Sequence, residues 1–274
     1  MNDFQFSVLM PIYIKENPAY FIQSLDSILR NQTVLPTELV LVEDGPLTDE
    51  LNQIVAQYQQ EFPTQLRVFK LQKNMGVGFA MNYGLGNCNY EWVFRMDTDD
   101  IAVNTRFEEQ IKLIKTEKYD LIGSSINEFN DVVGDLNQVR LMPEKHADIV
   151  KLMKYRCPFN HMTVAFKKSI AIKAKGYWDK RNFEDYNLWY EMYKAGARLY
   201  NSQESLVYAR IGNNMVSRRS GTAYHKYEKE FISKMYQDKF LNFFEYKSIL
   251  SVKKILRALP VSVLEKIYKA FLRK

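Results

Sequence analysis

The stretch from Glu91 to Asp100, EWVFRMDTDD, decides how this chain is interpreted. Its first part, Trp92–Met96, has the length and largely apolar composition of a buried strand, and the carboxylates of Asp97, Asp99 and Asp100 follow directly. Carboxylates at the end of a buried strand are costly unless a cation meets them. Because Mg²⁺ and Mn²⁺ share their oxygen ligands between protein carboxylates and phosphates, the stretch predicts a site for a metal-bound nucleotide.

Two other interpretations use the same residues. Aspartates also close turns and cap helices, and Thr105 followed by Glu108 has the form of a capping box that begins a helix. The spacing also fits part of an EF-hand calcium loop, with Glu108 at its last position. That loop needs an oxygen ligand and then a glycine where this chain has Ile101 and Ala102, so it is excluded. The capping interpretation stays open.

The composition is that of a folded protein. With 274 residues, of which 46% are hydrophobic, the chain can bury a large core in one α/β domain with an appendage or in two small domains. Cys88 and Cys157 are too few for a disulfide framework and are not spaced as a zinc site. No basic and apolar leader opens the sequence, and no apolar run approaches the roughly 18 residues of a membrane span. We therefore expect a cytoplasmic protein.

Positive charge is concentrated at the C-terminal end. The net charge is +6, and residues 226–274 carry 12 Lys or Arg against 5 Asp or Glu, so residues 1–225 are nearly neutral. This distribution argues against a nucleic-acid groove across the main part of the chain and predicts contact with an anionic surface at one place. We therefore divide the chain into a domain at 1–225 and a basic tail at 226–274.

Predicted strands and helices alternate through the first hundred residues. The strands are Phe6–Met10, which is expected to stop at Pro11, then Leu39–Val42, Leu66–Leu71 and Trp92–Met96; the helices follow Asn17-Pro18 and cover Leu51–Tyr58 and Gly78–Leu85. Such alternation predicts a mostly parallel sheet with helices on both faces and with ligands at the carboxyl ends of its strands. Asp44 and the aspartates of residues 97–100 fall at those ends.

The remaining segments narrow the fold further. Pro11–Ile14 occupies the place of a Gly-rich dinucleotide loop, and no Walker-type sequence occurs, so NAD and P-loop chemistry are not expected. Ile122–Phe129 and Val139–Leu141 flank an Asn/Asp/Gly-rich stretch, which predicts a hairpin and therefore a mixed sheet. Further along, the pattern predicts a helix over His146–Tyr155, a strand over Met162–Phe166, and a helix that Phe183-Glu184-Asp185 opens and Gly196 ends.

Five of these segments carry a resemblance to a known family. They are Ser7–Tyr13, Val42–Gly45, Asn74–Gly76, Arg95–Asp100 and Phe183–Asp185. In this order, and over roughly residues 5–220, the chain resembles the family 2 glycosyltransferases of the GT-A fold. The likeness is greatest to the bacterial branch that builds capsule, exopolysaccharide and O-antigen units, in which an Arg-Arg-Gly-like element corresponds here to residues 217–221. The resemblance implies a Rossmann-like GT-A sheet with a nucleotide-binding half at 1–100, an acceptor-binding half at 101–225, and a C-terminal helical extension.

The resemblance also implies the residues that bind the donor. The nucleotide pocket would be lined by Pro11, Tyr13 and Glu16, which follow the first predicted strand. Asp44 would bind the base or the ribose. Asp99 would hold a Mn²⁺ or Mg²⁺ ion directly, Asp97 would lie against the ribose and the metal, and Arg95 would contact the donor sugar or pair with these carboxylates. The expected donor is a nucleotide sugar, most simply a UDP-sugar, because a metal stabilises the charge left on its diphosphate.

Asp185 is the predicted catalytic base, with Glu184 in support. Inversion at the anomeric carbon requires the acceptor hydroxyl to lose its proton as it attacks from the side opposite the leaving nucleotide, and a carboxylate within hydrogen-bond reach can take that proton. The alternative is that both carboxylates only face a helix dipole from its first turn. The family context favours the catalytic role.

Five further residues have two interpretations each. Asn74 and Gly76 would contact the nucleotide or only form a strand-to-helix turn. His161 would touch the acceptor, although a lone histidine is more often a structural hydrogen-bonding residue. Arg218 and Arg219 would neutralise the diphosphate when a loop closes, with a solvated basic turn as the alternative. Some relatives have a metal-binding histidine after the last core strand, where this chain has residues 210–214, so a third protein ligand is not assigned.

The tail has the pattern of amphipathic helices. One apolar face comprises Ile249, Val252, Ile255, Leu256 and Leu259, opposite Lys253, Lys254 and Arg257; after Pro260, Ile267, Tyr268 and Phe271 oppose Lys266, Lys269 and Arg273. This pattern predicts a helix that lies on an anionic membrane, with packing on the core or on a second subunit as the alternative. Because the acceptor in this branch is usually a lipid-linked diphosphate sugar, a peripheral position at the inner face of the membrane would suit the enzyme.

These observations together predict an inverting, metal-dependent glycosyltransferase of bacterial surface polysaccharide biosynthesis that binds no nucleic acid. A nucleotidyltransferase would also cluster carboxylates and metals on an α/β sheet, but it would need a basic triphosphate loop after the first strand, and none is visible. A non-catalytic glycan- or membrane-binding protein of the same fold stays open, and the sequence assigns no oligomeric state.

Overall fold

A mixed sheet of nine strands forms the centre of the part of the chain that the computed structural model describes, residues 4–180, 182–211 and 222–258. The strands are β1 Ser7–Ile12, β2 Glu38–Glu43, β3 Leu66–Lys70, β4 Trp92–Arg95, β5 Ile101–Ala102, β6 Leu121–Phe129, β7 Gln138–Arg140, β8 Ala165–Lys167 and β9 Leu199–Arg210. The spatial order is β3-β2-β1-β4-β8-β6-β9-β5, and β7 pairs with β6. The strands β1 to β4 are parallel, whereas β8 is antiparallel to β4 and to β6.

Nine helices within the described residues cover the two faces of this sheet. They are α1 Pro18–Leu29, α2 Asp49–Glu61, α3 Val77–Asn87, α4 Arg106–Ile114, α5 His146–Met153, α6 Lys168–Lys173, α7 Glu184–Lys194, α8 Thr222–Gln237 and α9 Phe243–Ala258. Successive side chains of a strand point to opposite faces, so Val8 packs in one core with α1, α2 and α4, while Leu9 packs in the other with α3 and α7. The predicted α/β class, a mixed sheet flanked by helices with a helical extension, is confirmed.

Pro11 does not end the first strand, and that prediction is wrong. Residue Pro11 pairs in parallel register with Val42, and β1 continues to Ile12. Pairing of β1 with β4 ends at Leu9, whose carbonyl accepts a hydrogen bond from the Met96 amide. In a strand, the backbone N–H and C=O groups of every second residue point toward the same neighbouring strand, so those of Leu9 and Pro11 both point toward β4. Because the pairing with β4 ends at Leu9, an N–H group at residue 11 would have no partner there. No ladder hydrogen bond is lost there.

Two other local predictions are also corrected. The first half of the strand predicted over Met162–Phe166 is a 3₁₀ turn, because the Thr163 hydroxyl donates to the Asn160 carbonyl at 2.8 Å and replaces a strand pairing. The capping box at Thr105 does not form either. Thr105 makes no side-chain cap, and Glu108 instead accepts hydrogen bonds from Thr33 at 2.9 Å and pairs with Lys112.

The helices α8 and α9 pack on the core rather than standing apart from it. Phe231 of α8 and Ile249 of α9 are buried in the same apolar cluster as Trp189 of α7. Ile249 is 5% exposed, whereas Val252 and Ile255, predicted on the same face, are 51% and 64% exposed. Residues spaced by three drift around a helix of 3.6 residues per turn, so these positions cannot share one narrow contact. The side chain of residue 256 and all of residues 259–274 lie outside the described residues, and the division at residue 225 stays a prediction.

None of the helices in the described ranges combines the length and the apolar composition that a membrane crossing requires.

Candidate active site

The residues predicted to bind the donor lie together at the carboxyl ends of three parallel strands. Tyr13 and Glu16 follow β1, Asp44 follows β2, and the aspartates of residues 97–100 follow β4. Strand β1 lies between β2 and β4, so all three strand ends open onto the same edge of the sheet. This is the edge where open α/β sheets bind ligands.

The three aspartates after β4 form one cluster. Each of Asp97, Asp99 and Asp100 offers a carboxylate oxygen within 4.8 Å of the others. Burial, together with the charges of Asp97 and Glu16, raises the pKa of Asp99 to about 6. Burial and the two neighbouring aspartates also raise the pKa of Asp100 well above its ordinary value. A divalent cation would remove this repulsion between like charges, and an all-oxygen set of ligands suits Mg²⁺ or Mn²⁺.

One oxygen of Asp100 supports this fit independently. Its Oδ1 accepts a hydrogen bond from the Arg210 amide at 2.8 Å, but its buried Oδ2 has no hydrogen-bond partner within the described residues. A buried carboxylate oxygen without a partner is costly, and it is an available metal ligand. The residues present therefore fit a divalent cation.

Arg95 lies on the inner side of this cluster. It is 3% exposed and forms an ion pair with Asp97, while its Nε and Nη1 atoms have no hydrogen-bond partner among the described residues. The Arg106 guanidinium is fully buried behind it and donates to the Arg95 carbonyl at 2.7 Å. Burial, and then the charge of Arg95, lower the pKa of Arg106 to about 9. Its hydrogen bond to the Arg95 carbonyl fixes the backbone that leads into the aspartates.

Arg210 is a second supporting residue, and sequence reasoning missed its role. It ends β9, the strand after which the resemblance led us to look for a third metal ligand. Its guanidinium donates to the Asp99 carbonyl at 3.2 Å and to Gln23 Oε1 at 2.7 Å, and it stacks 3.7 Å from the ring centre of Tyr20. Arg210 therefore holds the aspartate loop from behind and offers no metal ligand. No local sequence pattern signals contacts between residues so far apart in the chain.

Asp44, Asn74 and Gly76 form a single unit. The carboxylate of Asp44 accepts hydrogen bonds from the Met75 amide at 2.6 Å and the Gly76 amide at 3.0 Å, and Asn74 Nδ2 donates back to the Asp44 carbonyl at 3.2 Å. Gly76 has a φ of +91° and precedes α3, a conformation that favours glycine. These contacts fix the turn and the start of α3 beside β2, and a role of the three residues toward a nucleotide stays a prediction.

The predicted pocket residues after β1 tie that loop to the aspartates. Glu16 accepts hydrogen bonds from the Thr98 hydroxyl and, at 2.8 Å, from the Asn17 amide. Tyr13 is 39% exposed at the same edge, and Pro11 precedes it in β1. The loop after β1 and the loop after β4 are therefore held together.

Glu184 and Asp185 form the first turn of α7. Burial, followed by the charge of Asp185, raises the pKa of Glu184 to about 7, and its Oε2 is buried with no hydrogen-bond partner in the described part of the chain. Asp185 Oδ1 accepts from the Tyr186 amide at 2.7 Å, and its Oδ2 lies 3.8 Å from Cys157 Sγ. Both carboxylates lie in the first turn of α7, as the helix-dipole interpretation requires. Asp185 also lines a cavity, as a catalytic base would.

Helices α3 and α7 meet at Gly78, close to these carboxylates. A Cβ atom on Gly78 would lie 2.4 Å from the Trp178 carbonyl oxygen and 3.3 Å from Glu184 Cβ. Only a residue without a side chain allows this approach. The turn at residues 74–76 and the start of α7 are thereby brought together.

Tyr177 connects the aspartate cluster with the carboxylates of α7. Its hydroxyl lies 3.2 Å from His161 Nε2. Burial raises the Tyr177 pKa, the charge of Arg95 opposes this, and the charges of Asp185 and Glu184 add to it. Tyr177 therefore lies close enough to Arg95 and to the two α7 carboxylates for their charges to act on its hydroxyl.

His161 lies beside this hydroxyl. Burial and the nearby charge of Arg95 lower its pKa well below the ordinary value, so its ring is neutral at physiological pH. The contacts with Tyr177 and with Trp189 are those of a structural residue. Because His161 also lines a cavity, its predicted contact with an acceptor stays a prediction.

That cavity has a volume of about 380 Å³ and opens beside Asp185. Its walls come from the end of α5, the turn at His161, the start of α7, and the helices α8 and α9. This volume lies within the range of small-molecule sites. The predicted residues Arg218 and Arg219 fall in residues 212–221, outside the described part of the chain.

Comparison with known proteins agrees with this geometry. A sequence profile described as "Glycosyl transferase family 2" matches residues 7–179. An uncharacterized glycosyltransferase of Haemophilus influenzae is 42% identical, over 98% of this chain and 100% of the relative. The UDP-Gal:alpha-D-GlcNAc-diphosphoundecaprenol beta-1,3-galactosyltransferase of Escherichia coli is 35% identical over 98% and 97%, and the amylovoran biosynthesis glycosyltransferase AmsE of Erwinia amylovora is 34% identical over 96% and 98%.

The fold has solved counterparts. The crystal structure of residues 1–349 of TarS from S. aureus, in complex with UDP-GlcNAc, superposes with a TM-score of 0.67 at 19% identity. The match covers 98% of this chain and 73% of the TarS structure. At this identity the likeness establishes the GT-A type of fold. By sequence and by fold, this chain belongs to the family 2 glycosyltransferases, in the branch that makes bacterial surface polysaccharides.

Proposed function

We propose that this enzyme is an inverting glycosyltransferase that moves a sugar from a UDP-sugar donor to a lipid-linked glycan acceptor in the synthesis of a bacterial surface polysaccharide. The observation that carries the proposal is the cluster of Asp97, Asp99 and Asp100 after β4, in which the buried Oδ2 of Asp100 has no hydrogen-bond partner among the described residues. The choice of UDP is supported by the UDP-Gal donor in the name of the relative from Escherichia coli. The same name includes a GlcNAc-diphosphoundecaprenol acceptor, which supports the lipid link.

The donor would bind across the carboxyl ends of β1, β2 and β4. Tyr13 and Asp44 would contact the nucleoside, and the aspartate cluster, with Asp99 as the direct ligand, would hold Mn²⁺ or Mg²⁺ against the diphosphate. Such an ion supplies charge stabilisation to the departing phosphate oxygen. Arg95 would use its two unpartnered nitrogens on the donor sugar or phosphate, since both are buried beside the cluster.

The transfer would take place between this donor and the cavity. Asp185 would accept the proton of an acceptor hydroxyl while the hydroxyl oxygen forms a bond to the anomeric carbon. The bond from that carbon to the diphosphate breaks, and its electron pair leaves with the nucleotide. Glu184 would support the base as the adjacent carboxyl group of the same first turn, where burial and then the charge of Asp185 raise the pKa of Glu184 to about 7.

The enzyme would work at the inner surface of the membrane. Helix α9 exposes Phe243, Phe244, Val252 and Ile255, and Lys247 and Lys254 are exposed on the same helix. Exposed apolar side chains beside lysines are suited to the surface of an anionic bilayer. An acceptor with a lipid chain would be met there.

The substitution Asp185→Asn tests the catalytic role. We expect sugar transfer to fall by about 10²- to 10⁴-fold, because the amide cannot take the proton, while binding of the UDP-sugar with Mn²⁺ stays unchanged. Radiolabelled transfer and calorimetry measure the two quantities. The matched control is Asp148→Asn, an exposed acid in the first turn of α5, which should leave both unchanged. Transfer at the wild-type rate by Asp185→Asn would refute the assignment.

The stereochemistry of the product tests inversion separately. An α-linked UDP-sugar should give a β-linked product, because a single displacement attacks the face opposite the leaving group. The coupling constant of the anomeric proton in the NMR spectrum distinguishes the two configurations. An α-linked product would exclude the single displacement and with it the role of Asp185 as base.

A further inference from the structure

One cation on the wall of the cavity differs from the others. Lys154 pairs with Glu245 at 2.7 Å, Lys253 with Glu228 at 3.1 Å, and Arg140 with Glu128 at 2.5 Å. Arg156 lines the same cavity and is half-buried, but no carboxylate of the described residues pairs with its guanidinium. A guanidinium removed from water without a counter-charge is unfavourable. The protein therefore keeps one positive charge available at this wall.

The position of Arg156 relates it to the predicted base. It directly precedes Cys157, whose Sγ atom lies 3.8 Å from Asp185 Oδ2. Burial lowers the Arg156 pKa, and the neighbouring groups of Cys157 and Tyr186 oppose that effect. Tyr186 is also the residue whose amide donates to Asp185. Arg156 and Asp185 thus face one space, and a single small molecule can reach both.

One side of the cavity is apolar, with Phe231, Ile232 and Met235 of α8 and Ile249 of α9 in its wall. The carboxylates of Asp185 and Glu184 line another part, and Glu228 is paired with Lys253. An anion placed beside Arg156 would meet an unpaired guanidinium that is partly removed from water, where attraction between charges is stronger than in bulk water. Arginine also binds a phosphate through two parallel hydrogen bonds, which a lysine cannot do.

The diphosphate of the donor is not the natural occupant of this position. The donor residues lie at the carboxyl ends of β1, β2 and β4, with Arg95 on their inner side. The His161 and Tyr177 pair lies near Arg95 and borders the cavity at His161. A second anion, carried by the acceptor, fits the geometry instead.

We propose that Arg156 binds the phosphate through which the acceptor sugar is linked to its lipid, while a hydroxyl of that sugar faces Asp185. This inference rests on the proposed function and adds the group by which the acceptor is recognised. Arg156 would then determine specificity for a sugar phosphate over an uncharged glycoside. It would take no part in the chemical step.

Two acceptors that differ only in the phosphate test the inference. One is α-GlcNAc diphosphate on an undecyl chain, and the other is the undecyl α-glycoside of GlcNAc. In Arg156→Gln we expect the KM for the diphosphate acceptor to rise by at least about tenfold, since a hydrogen-bonded charge pair is lost. The KM for the uncharged glycoside and the kcat for both acceptors should change little. Arg156→Lys should recover part of the loss, because it restores the charge but not the paired hydrogen bonds.

Lys151→Gln, an exposed cation on α5, is the matched control and should leave both KM values unchanged. An equal loss with the two acceptors would show a structural role and overturn the inference, as would an unchanged KM for the diphosphate acceptor. Calorimetry with inorganic pyrophosphate in EDTA adds a readout that needs no transfer, and Arg156→Gln should weaken that binding. If the wild type transfers sugar to neither acceptor, the proposed function fails; if it transfers and Arg156→Gln is indifferent, only this inference fails.

Discussion

At the scale of single residues, the aspartate cluster is built at a cost in like-charge repulsion. Burial and the charges of the neighbouring aspartates raise the pKa values of Asp99 and Asp100. Proteins tolerate such crowding where the charges serve a ligand. The unpartnered oxygen of Asp100 agrees with this account, since it leaves one buried carboxylate oxygen available to a ligand.

We predict that Asp99→Asn removes the dependence of donor binding on the metal. An amide oxygen is a weaker ligand than a carboxylate, so UDP affinity in Mn²⁺ should fall by at least about tenfold. The thermal shift that UDP produces with Mn²⁺, compared with the shift in EDTA, measures this. Asp49→Asn, an exposed residue of α2, is the control and should keep the full shift. A full metal-dependent shift in Asp99→Asn would show that Asp99 is not a ligand.

Glu184 makes stability depend on pH. Its pKa in the folded protein is about 7, above the ordinary value of 4.5, so the folded state holds a proton that the unfolded state releases between these values. Relative to acid conditions, this group therefore lowers the free energy of unfolding as pH rises from 4.5 through 7. The effect is at most about 3 kcal/mol.

Glu184→Gln should remove that pH dependence. The variant should be more stable relative to the wild type at pH 8 than at pH 5, because the neutral amide mimics the protonated acid. Urea unfolding at both values gives the difference, in which the contributions of the other titrating groups cancel. A constant difference between the two proteins would contradict the raised pKa of Glu184.

The sequence predicted some of these residues and not others for a physical reason. Asp97–Asp100 and Asp185 could be found because each stands directly after a strand or at the start of a helix, where local pattern locates it. Arg210 contacts residues distant in the chain, Arg106 donates to the Arg95 carbonyl, and Arg156 lines the cavity. Nothing in the sequence around these three residues distinguishes them from surface arginines.

At the scale of elements, the site depends on how closely α3 and α7 approach. Apolar periodicity predicted both helices, but not the contact between them. The contact is possible only because Gly78 has no side chain. In a sequence, a glycine at such a position indicates a turn or a residue that weakens a helix, and it does not indicate a helix contact. The same limit explains the turn at His161–Thr163, where side-chain hydrogen bonds replace a predicted strand.

Substitution of two glycines within α3 tests this contact. Gly78→Ala should destabilise the protein by about 1–3 kcal/mol and reduce transfer, because the added methyl would lie 2.4 Å from the Trp178 carbonyl oxygen and push Glu184 away. Gly86→Ala in the same helix meets nothing within 4 Å and should stabilise it by about 0.5–1 kcal/mol. Denaturant unfolding and the transfer assay measure both effects. Equal effects of the two changes on stability would show that the approach of α3 to α7 is loose.

At the scale of the whole molecule, the described part of the basic tail, residues 226–258, contributes to the wall of the cavity beside Asp185. The sequence divided the chain at residue 225 because charge and periodicity change there. In the folded chain, Ile249 is buried with Trp189, and Lys253 and Glu228 close one side of the cavity. An amphipathic charge pattern fits both a membrane surface and a protein surface, whereas burial of one isoleucine depends on the shape of the surface it packs against. The sequence could therefore name packing on the core only as an alternative to membrane binding.

This packing decides how membrane binding is best tested. Deletion of the residues after 245 would remove Ile249 and Lys253 from the cavity, so loss of transfer would not separate a membrane role from a cavity role. Substitution of exposed side chains avoids this difficulty. Phe244, Val252 and Ile255 are 81%, 51% and 64% exposed, so their replacement by serine should leave the fold intact.

We predict that the triple variant Phe244→Ser, Val252→Ser, Ile255→Ser binds vesicles of anionic lipid at least about tenfold more weakly than the wild type, because apolar burial in the bilayer surface is lost. Co-sedimentation with the vesicles measures binding, and transfer to the undecyl glycoside should be unchanged because the cavity is intact. Val132→Ser, Val133→Ser removes exposed apolar side chains from the loop between β6 and β7 and is the control. If the control weakens vesicle binding as much as the triple variant does, exposed apolar surface in general, and not α9, holds the enzyme to the membrane.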